Sequence, residues 1–300
     1  MSDAQANRSW IEAKQASGAL PASLQLGECI TSRRAQSVYW AMFDGRDAVV
    51  KHYTGEKAAQ LTKAAADTLQ EASARMNSTP FRVPELLYVT QPLGLVVMSR
   101  AHGTPMSAQF TLDQSEAQRQ DLLKKAGAWL NAFTGKQETK AGFYPKFWAA
   151  RGLTQMPQGA RTLHEVSSLT RALDHMGQKT VGTVVSFAKT HGDFIAGNLI
   201  VAKDHITGVD IQGMHNLPIA RDIATFLVWL TFKTPQMNLQ HGVGQSDMEM
   251  LCAAAQLPSH QADILRFFIG EQLLRWRVAR GFDEPCPLVL ATMIDSYCSD

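Results

Sequence analysis

Residues 190–201 read THGDFIAGNLIV, and residues 208–213 read GVDIQG. Residues 199–201 and 206–211 are short runs rich in Ile and Val, separated by a polar turn, and this pattern predicts a β-hairpin. The polar residues of both stretches lie at the ends of these runs. We therefore expect several polar side chains to converge at one rim of a small sheet.

Three of these polar residues have the chemistry for phosphoryl transfer. The carboxylate of Asp193 can orient an attacking hydroxyl or accept its proton. Asn198 offers an amide oxygen and Asp210 an anionic oxygen, and both are hard ligands of the kind Mg²⁺ prefers. This set predicts transfer of a phosphoryl group from a nucleotide with the help of a divalent metal.

The spacing of these residues also carries a family resemblance. The pattern H-G-D-x-x-x-x-N, from His191 to Asn198, resembles the catalytic loop of the aminoglycoside phosphotransferase and choline kinase-like families, distant relatives of protein kinases, which carry H-R-D-x-x-x-x-N. Gly192 in place of Arg favours the small-molecule branch. Residues 210–213 are similar to the metal-binding D-F-G segment, with Ile211 for Phe and one extra residue. The resemblance implies that Asp193 is the catalytic base and that Asn198 and Asp210 are the Mg²⁺ ligands.

Two further residues near the loop are expected to have structural roles. Residues 217–224 are similar to the segment of these families in which a buried Asp caps the next helix and braces the catalytic loop, which implies that role for Asp222. His191 is expected to brace the loop.

A nucleotide-binding lobe is expected upstream. Residues 24–30, 38–43 and 48–53 are β-prone, and the last two are separated by the turn at 44–47. Lys51 resembles the strand lysine that contacts nucleotide phosphates in kinases.

A helix from about residue 54 to 76 follows, with apolar positions at Leu61, Leu69 and Met76. Glu71 is the favoured ion-pair partner of Lys51, and Asp67 and Glu56 are the alternatives. A charged solvent-facing surface on this helix is an equally good interpretation.

The loop at 31–37 contains no glycine, so its main chain cannot approach phosphates as a Gly-rich loop does. Ser32, Arg33, Arg34 and Ser37 are instead candidates for side-chain contacts to phosphates. A solvated turn is the alternative.

Strands are expected around residues 86–89 and 94–98, and the second leads into a segment similar to the kinase hinge. Met98, Ser99 and Arg100 would contact the nucleotide base through main-chain atoms. ATP is the expected nucleotide, with GTP as the alternative.

The rest of the chain predicts helices. Residues 115–118 form a capping box, S-E-A-Q, whose helix would end at Gly135. Residues 222–232 read as a buried helix, and residues 260–280 as another, closed by Gly281. That helix carries Arg266, Arg275, Arg277 and Arg280, for which a solvated face is favoured over contact with an anionic substrate.

The stretch 135–159 mixes turn residues with the aromatic set Phe143, Tyr144, Phe147 and Trp148. Packing of these aromatics onto the large lobe is favoured, and lining of the acceptor pocket is the alternative.

Composition limits the other classes of function. The chain has 300 residues, 45% of them hydrophobic, with 29 Lys and Arg against 27 Asp and Glu. The resulting net charge of +2 argues against nucleic acid as a partner. Apolar runs are too short for a membrane span, and the N-terminal stretch lacks a signal-peptide core, so a cytoplasmic location is expected.

The fold expected is α+β: a two-lobed protein kinase-like fold with a small antiparallel β-rich lobe at 1–100 and a larger, mainly helical lobe at 101–300. The function expected is that of a Mg²⁺-dependent, ATP-dependent kinase acting on a hydroxyl of a small molecule. A catalytically silent nucleotide-binding scaffold is the alternative. A protein kinase is less favoured, because few residues separate Gly213 from Asp222 and an activation segment would need more.

Overall fold

The structure is a computed structural model, and the residues it describes are 3–33, 35–76, 80–135, 138–146, 148, 154, 156–211 and 216–299. The chain forms two units. The first combines Met1–Gly103 with Ile200–Gly213, and the second combines Thr104–Leu199 with Met214–Asp300. The hairpin that carries Asp210 therefore belongs to the same unit as Lys51.

The first unit is built on an antiparallel sheet. Its elements are α1 (Asp3–Ala16), β1 (Gln25–Arg33), β2 (Gln36–Phe43), β3 (Arg46–Tyr53), α2 (Ala58–Met76), β4 (Phe81–Arg82), β5 (Leu86–Thr90), β6 (Leu95–Ser99) and, from later in the chain, β10 (Leu199–Val201) and β11 (Ile206–Gly208). The strand order in the main sheet is β1-β2-β3-β6-β5, and all neighbours are antiparallel. β11 pairs with β4 in parallel.

The two faces of this sheet are covered by different helices. Because side chains alternate along a strand, Val50 points to one face and Lys51 to the other. On the Val50 face, Ile11 of α1 packs with Tyr39 and Val97. On the Lys51 face, Leu69 of α2 packs with the strand residues. The N-terminal stretch is polar, so its sequence did not predict α1. This helix packs on the sheet through Ile11.

Two details of the predicted lobe were wrong. The predicted loop at 31–37 is mostly strand, because β1 runs to Arg33 and β2 begins at Gln36, with Ser32 directly opposite Ser37. The buried face of α2 includes Thr62, whereas Leu61 is 42% exposed.

The second unit is mainly helical. Its elements are β7 (Thr104–Pro105), α3 (Glu116–Thr134), β8 (Thr139–Gly142), α4 (His164–Thr180), β9 (Val184–Lys189), β12 (Asn216–Pro218), α5 (Ile219–Lys233), β13 (Leu239–Gln240), β14 (Val243–Gly244), α6 (Gln245–Ala254), α7 (Ala262–Ala279) and α8 (Leu288–Ser299), with short 3₁₀ turns between them. The predicted capping box at Ser115 is confirmed, and Gly135 is the C-cap of α3. Most of α5 is buried, as its apolar sequence predicts.

A small antiparallel sheet in this unit positions the loop that begins at Thr190. β9 pairs with β12, so that Lys189 lies opposite Asn216. β9 leads directly into the loop that begins at Thr190, and β12 leads directly into α5. The pairing therefore holds the first turn of α5 beside the loop.

The solvated face predicted for the arginines of α7 is wrong for Arg277, whereas Arg275 and Arg280 are exposed. Arg277 is buried, and its Nε donates to Glu165 at 3.2 Å. The Arg280 guanidinium lies over the rings of Phe232 and Trp276, at 4.3 and 4.4 Å from their centroids. A guanidinium on a helix surface can bury its flat faces against aromatic rings while it keeps its charge, which the sequence pattern alone does not reveal.

An N-terminal antiparallel sheet followed by a helical part is the architecture predicted from the sequence, and the structure confirms it. Among the described residues, no helix is both long and apolar enough to cross a membrane.

Candidate active site

The loop after β9 holds Asp193 and Asn198 together. The side-chain amide of Asn198 donates to the main-chain carbonyl of Asp193 at 2.9 Å, and to its carboxylate at 3.4 Å. Gly192 has φ of +85°, a left-handed conformation that glycine adopts without steric cost, so the chain can turn sharply just before Asp193. Both side chains are partly exposed. Because Asn198 donates through Nδ2, its Oδ1 is the atom suited to a cation.

Asp222 braces this loop from the first turn of α5. Its carboxylate accepts hydrogen bonds from the main-chain amides of His191 at 2.7 Å and Gly192 at 3.2 Å. Burial raises the pKa of Asp222 to about 6, and the two hydrogen bonds and Arg221 oppose that rise. The bracing role implied by the family resemblance is therefore present. The capping role is not, because the N-cap of α5 is Pro218.

His191 lies in the core beneath the loop. It is fully buried, and its ring lies 5.8 Å from that of Trp129 and 6.0 Å from that of Phe194. The Asp193 amide approaches its Nδ1 at 3.4 Å. These contacts agree with the predicted role as a loop brace.

In the first unit, Lys51 forms an ion pair with Asp210. The Lys51 side chain is mostly buried on β3, whereas the Asp210 side chain is 40% exposed. Asp210 has φ of +58°, a conformation that is uncommon outside glycine but tolerated by Asp, and such residues concentrate at functional sites. Burial and the charge of Asp210 together raise the pKa of Tyr53 to about 12. Residues 212–213, which complete the segment similar to D-F-G, lie outside the described residues.

The acidic residues of α2 are placed differently from one another. Asp67 forms an ion pair with Lys63, and both side chains are exposed. The main-chain carbonyl of Glu71 accepts from Arg75 at 3.3 Å. Pairing of Glu71 with Lys51 stays a prediction, and Asp210 is an additional partner of Lys51 that the sequence did not suggest.

The hydroxyls of the β1-β2 hairpin lie on the sheet face opposite Lys51. Ser37 faces His52 across the strands, whereas Lys51 faces Val38. The Ser32 and Ser37 hydroxyls are 2.9 Å apart, and Asn7 of α1 donates to Ser37 at 2.8 Å. Phosphate contacts by Ser32, Arg33 and Ser37 stay a prediction, but the structure does not bring the two serines to the Lys51 side. Arg34 lies outside the described residues.

The hinge-like segment is partly engaged in the sheet. Met98 pairs with both Val49 and Leu86. The amide of Ser99 donates to Glu85 at 2.9 Å, and that of Arg100 donates to Asp47 at 3.1 Å. Base contacts by this segment therefore have to use main-chain groups other than these two amides.

The Arg100 side chain lies over the ring of Trp40, 4.2 Å from its centroid. Trp40 faces Val49 on the Lys51 side of the sheet and is 36% exposed. The sequence did not predict that the Trp40 ring and Arg100 form a flat surface here. The available signal was that Trp40 lies two residues after Val38 in a strand and so shares its face.

Oxygen donors for Mg²⁺ exist in the residues predicted to bind it. Asn198 Oδ1 and the Asp210 carboxylate are both hard ligands. Within the described residues, no group of three or more His, Cys, Asp and Glu side chains is arranged to hold a metal by itself.

A cavity of about 360 Å³ lies beside Asp193 in the second unit. Its walls come from the loop after β9, α5 and α7, and include Trp229, Arg275 and Trp276. Sequence reasoning missed both tryptophans. The signal available was the helical spacing of the polar and aromatic residues at 272, 275 and 276, which share one face of α7.

Two aromatics of the 135–159 stretch, Phe143 and Trp148, pack into the core, which was the favoured interpretation. Phe143 is fully buried against Phe267 and Phe268, and Trp148 packs on Phe268. Tyr144 is 71% exposed. Phe147 lies outside the described residues.

Comparison with known proteins gives a family and a fold. The model of the phosphotransferase enzyme family matches residues 28–253. No curated protein sequence matches the chain significantly.

Three solved structures illustrate the fold similarity. The choline kinase LicA from Streptococcus pneumoniae is 14% identical, with 97% of this chain and 96% of that chain covered and a TM-score of 0.57. Amicoumacin kinase hAmiN, in complex with AMP-PNP, Ca²⁺ and Ami, is 13% identical, with coverage of 96% and 92% and a TM-score of 0.60. A thermostable mutant of aminoglycoside phosphotransferase APH(4)-Ia, in a ternary complex with AMP-PNP and hygromycin B, is 14% identical, with coverage of 96% and 97% and a TM-score of 0.60. The predicted two-lobed kinase-like fold is confirmed.

Proposed function

Because this chain belongs to the phosphotransferase enzyme family, we propose that it transfers the γ-phosphoryl group of ATP to a hydroxyl of a small molecule, in a reaction that requires Mg²⁺. The membership agrees with the resemblance drawn from the H-G-D-x-x-x-x-N pattern.

The observation that carries this proposal is the position of Asp193. Its carboxylate borders the cavity in the second unit, and its main chain is held by Asn198 on one side. Asp222 holds the two preceding amides. A carboxylate fixed at the wall of a cavity is suited to orient a bound hydroxyl, because positioning provides much of the rate in phosphoryl transfer.

The chemical step follows from this arrangement. The acceptor oxygen forms a bond to the γ-phosphorus as the bond between that phosphorus and the β–γ bridging oxygen breaks, and ADP leaves. The hydroxyl proton moves to the Asp193 carboxylate, which later releases it to water. The net products are a phosphorylated acceptor, ADP and a proton.

Residues of the first unit are proposed to hold the nucleotide. Lys51 contacts phosphate oxygens with its ammonium, which Asp210 already orients by an ion pair. Asn198 and Asp210 are the proposed Mg²⁺ ligands. When bound, Mg²⁺ offsets the negative charge of the nucleotide phosphates.

Support for ATP comes from the neighbours that share the fold, two of which were solved in complex with AMP-PNP. Main-chain contacts by residues 98–100, phosphate contacts by Ser32, Arg33 and Ser37, and the ion pair of Glu71 with Lys51 remain predictions within this proposal.

The test is an ADP-release assay with Mg·ATP across hydroxyl-bearing metabolites that include sugars, sugar acids, amino sugars and amino alcohols. We expect acceptor-dependent ADP release with a phosphorylated product of matching mass. Binding of Mg·ATP with no turnover on any acceptor would contradict the proposal and favour a nucleotide-binding scaffold.

A further inference from the structure

The cavity beside Asp193 is walled by two helices of the second unit. α7 contributes Gln272, Arg275, Trp276 and Ala279, which lie three or four residues apart and so share one face of the helix. α5 contributes Thr225 and Trp229, again four residues apart. At about 360 Å³, the cavity falls in the range of pockets for single small molecules, roughly 300 to 1,000 Å³.

The described lining of this cavity carries one charge of each sign. Among the described residues that line it, Asp193 is the one carboxylate and Arg275 the one cation. If Asp193 is engaged by the reacting hydroxyl, no other lining carboxylate among these residues is left to bind an ammonium group. The lining therefore favours an acceptor that carries negative charge.

A second carboxylate lies close by, but it is committed elsewhere. Glu271 is 3% exposed, and its carboxylate accepts from Gln272 at 2.8 Å and from Arg221 at 3.4 Å. Gln272, which donates to Glu271, lines the cavity, whereas Glu271 is not among its described lining residues. Glu271 therefore serves the core of the unit.

Arg275 is anchored at the wall without being buried. Its side chain is 49% exposed, and its guanidinium lies 4.0 Å from Glu271 and 3.5 Å from the Gln272 side-chain oxygen. Both contacts are with the preceding turn of α7, so they orient the guanidinium and keep it on the helix face that lines the cavity. A planar guanidinium fits a carboxylate or phosphate with two parallel hydrogen bonds.

The surroundings of Trp276 do not favour a cation either. The ring of Trp276 has the Arg280 guanidinium 4.4 Å from its centroid and the ring of Phe232 at 4.9 Å. An ammonium group on Trp276 would meet a ring that already contacts a cation, with Arg275 adjacent in the chain. An uncharged, flat part of a ligand suits the surfaces of Trp229 and Trp276.

We infer that the acceptor is a small hydroxyl compound with an anionic group, a carboxylate or a phosphate, which Arg275 binds while the hydroxyl meets Asp193. This inference rests on the proposed phosphotransferase function for the identity of the cavity as the acceptor site. Arg275 then acts as the residue that determines specificity.

The test combines binding with turnover. Binding is followed by tryptophan fluorescence in the presence of Mg·ADP, with four probes that share a hexose skeleton: glucuronate, glucose 6-phosphate, glucose and glucosamine. We expect at least one of the two anionic probes to bind more tightly than both uncharged glucose and cationic glucosamine, and comparison of the two separates carboxylate from phosphate recognition. Tighter binding of glucosamine, or equal binding of all four, would overturn the inference.

Variants locate that binding at Arg275. Arg275→Ala should weaken binding of the anionic probe by about 10- to 100-fold, the usual value of a charge-assisted contact, and Arg275→Lys should restore part of it. Arg171→Ala, which removes an exposed arginine of α4 outside the cavity lining, should leave binding unchanged. Unchanged binding in Arg275→Ala would overturn the inference.

The two proposals fail in different ways. Arg275-dependent binding of an anion without any phosphoryl transfer would contradict the proposed function and support the anion site. Phosphoryl transfer with a preference for cationic acceptors would support the proposed function and overturn the anion site.

Discussion

The side-chain amide of Asn198 donates a hydrogen bond to the main-chain carbonyl of Asp193 at 2.9 Å. One residue therefore fixes the backbone of the proposed base with its nitrogen, and its oxygen is the atom proposed to bind the metal. These two roles can be separated, because an aspartate at this position keeps an oxygen ligand but cannot donate to the carbonyl.

Asn198→Asp should lower turnover by on the order of 10²-fold, since a small displacement of a catalytic group has an effect of that size. The Mg²⁺ concentration for half-maximal activity should change little in this variant and rise in Asn198→Ala. Steady-state kinetics over a Mg²⁺ titration measures both quantities. Asn238→Asp, at an exposed position, controls for the added charge. Full turnover in Asn198→Asp would show that the hydrogen bond does not position Asp193.

Asp222 should make the stability of the protein depend on pH. Its pKa is raised to about 6 in the folded state by burial, from a reference value of 3.8, so the folded protein binds this proton more tightly than the unfolded chain does. The free energy of unfolding should therefore be highest below pH 4 with respect to this group, and should fall as pH rises towards 6. The free energy of unfolding of the wild type, relative to that of Asp222→Asn, should therefore fall by about 3 kcal/mol between pH 4 and 6, at 1.36 kcal/mol for each unit of pKa.

Urea unfolding of both proteins at several pH values from 4 to 7 checks this prediction. Asn at position 222 loses part of the hydrogen bonding to the loop amides, but this adds an offset that does not vary with pH. A difference between the two proteins that stays constant across the range would contradict the raised pKa.

Arg119 and Asp247 form a buried ion pair that joins α3 to α6. Two nitrogens of Arg119 donate to the Asp247 carboxylate at 2.6 and 2.5 Å, and a third donates to Thr234 at 3.0 Å. Removal of one partner leaves a buried charge, so Arg119→Ala and Asp247→Ala should each lower the free energy of unfolding by about 3–5 kcal/mol. The double variant should lose less free energy of unfolding than the two single variants lose together.

Denaturant unfolding measures all three variants. Lys125→Ala breaks an exposed pair with Asp121 and should change stability by less than about 1 kcal/mol. Additive effects in the double variant would show that the two side chains do not depend on each other.

Lys51 should act on the nucleotide and not on the acceptor. Lys51→Met keeps the length of the side chain and removes the charge, so kcat/KM for ATP should fall by about 10- to 100-fold, the usual value of a charge-assisted contact. Lys63→Met removes an exposed lysine that pairs with Asp67, and it should have no effect. A wild-type kcat/KM for ATP in Lys51→Met would remove Lys51 from the phosphate site.

Local sequence patterns predicted the features that depend on few residues. The capping box at Ser115 and the hairpin before Asp210 are short-range arrangements, and both are present. The contact of Asp222 with the loop was predicted from the family resemblance. A resemblance can imply contacts between residues far apart in the chain, whereas composition and periodicity cannot.

Features that depend on tertiary packing were missed. Whether Arg277 is solvated depends on Glu165, which lies more than a hundred residues earlier in the chain. Trp229 and Trp276 approach one cavity only because α5 packs against α7. Ser32 and Ser37 were predicted to lie in a loop, but both belong to strands. Because side chains alternate between the two faces of a sheet, their strand positions place them on the face opposite Lys51.

The most direct test of the central claim is the rate of phosphoryl transfer by Asp193→Asn, measured with Mg·ATP labelled at the γ-phosphate and an acceptor that the wild type phosphorylates. We predict that labelled acceptor forms with the wild type, and that the variant loses on the order of 10² to 10⁴ in rate while it still binds Mg·ATP. Transfer by Asp193→Asn at the wild-type rate would contradict the account.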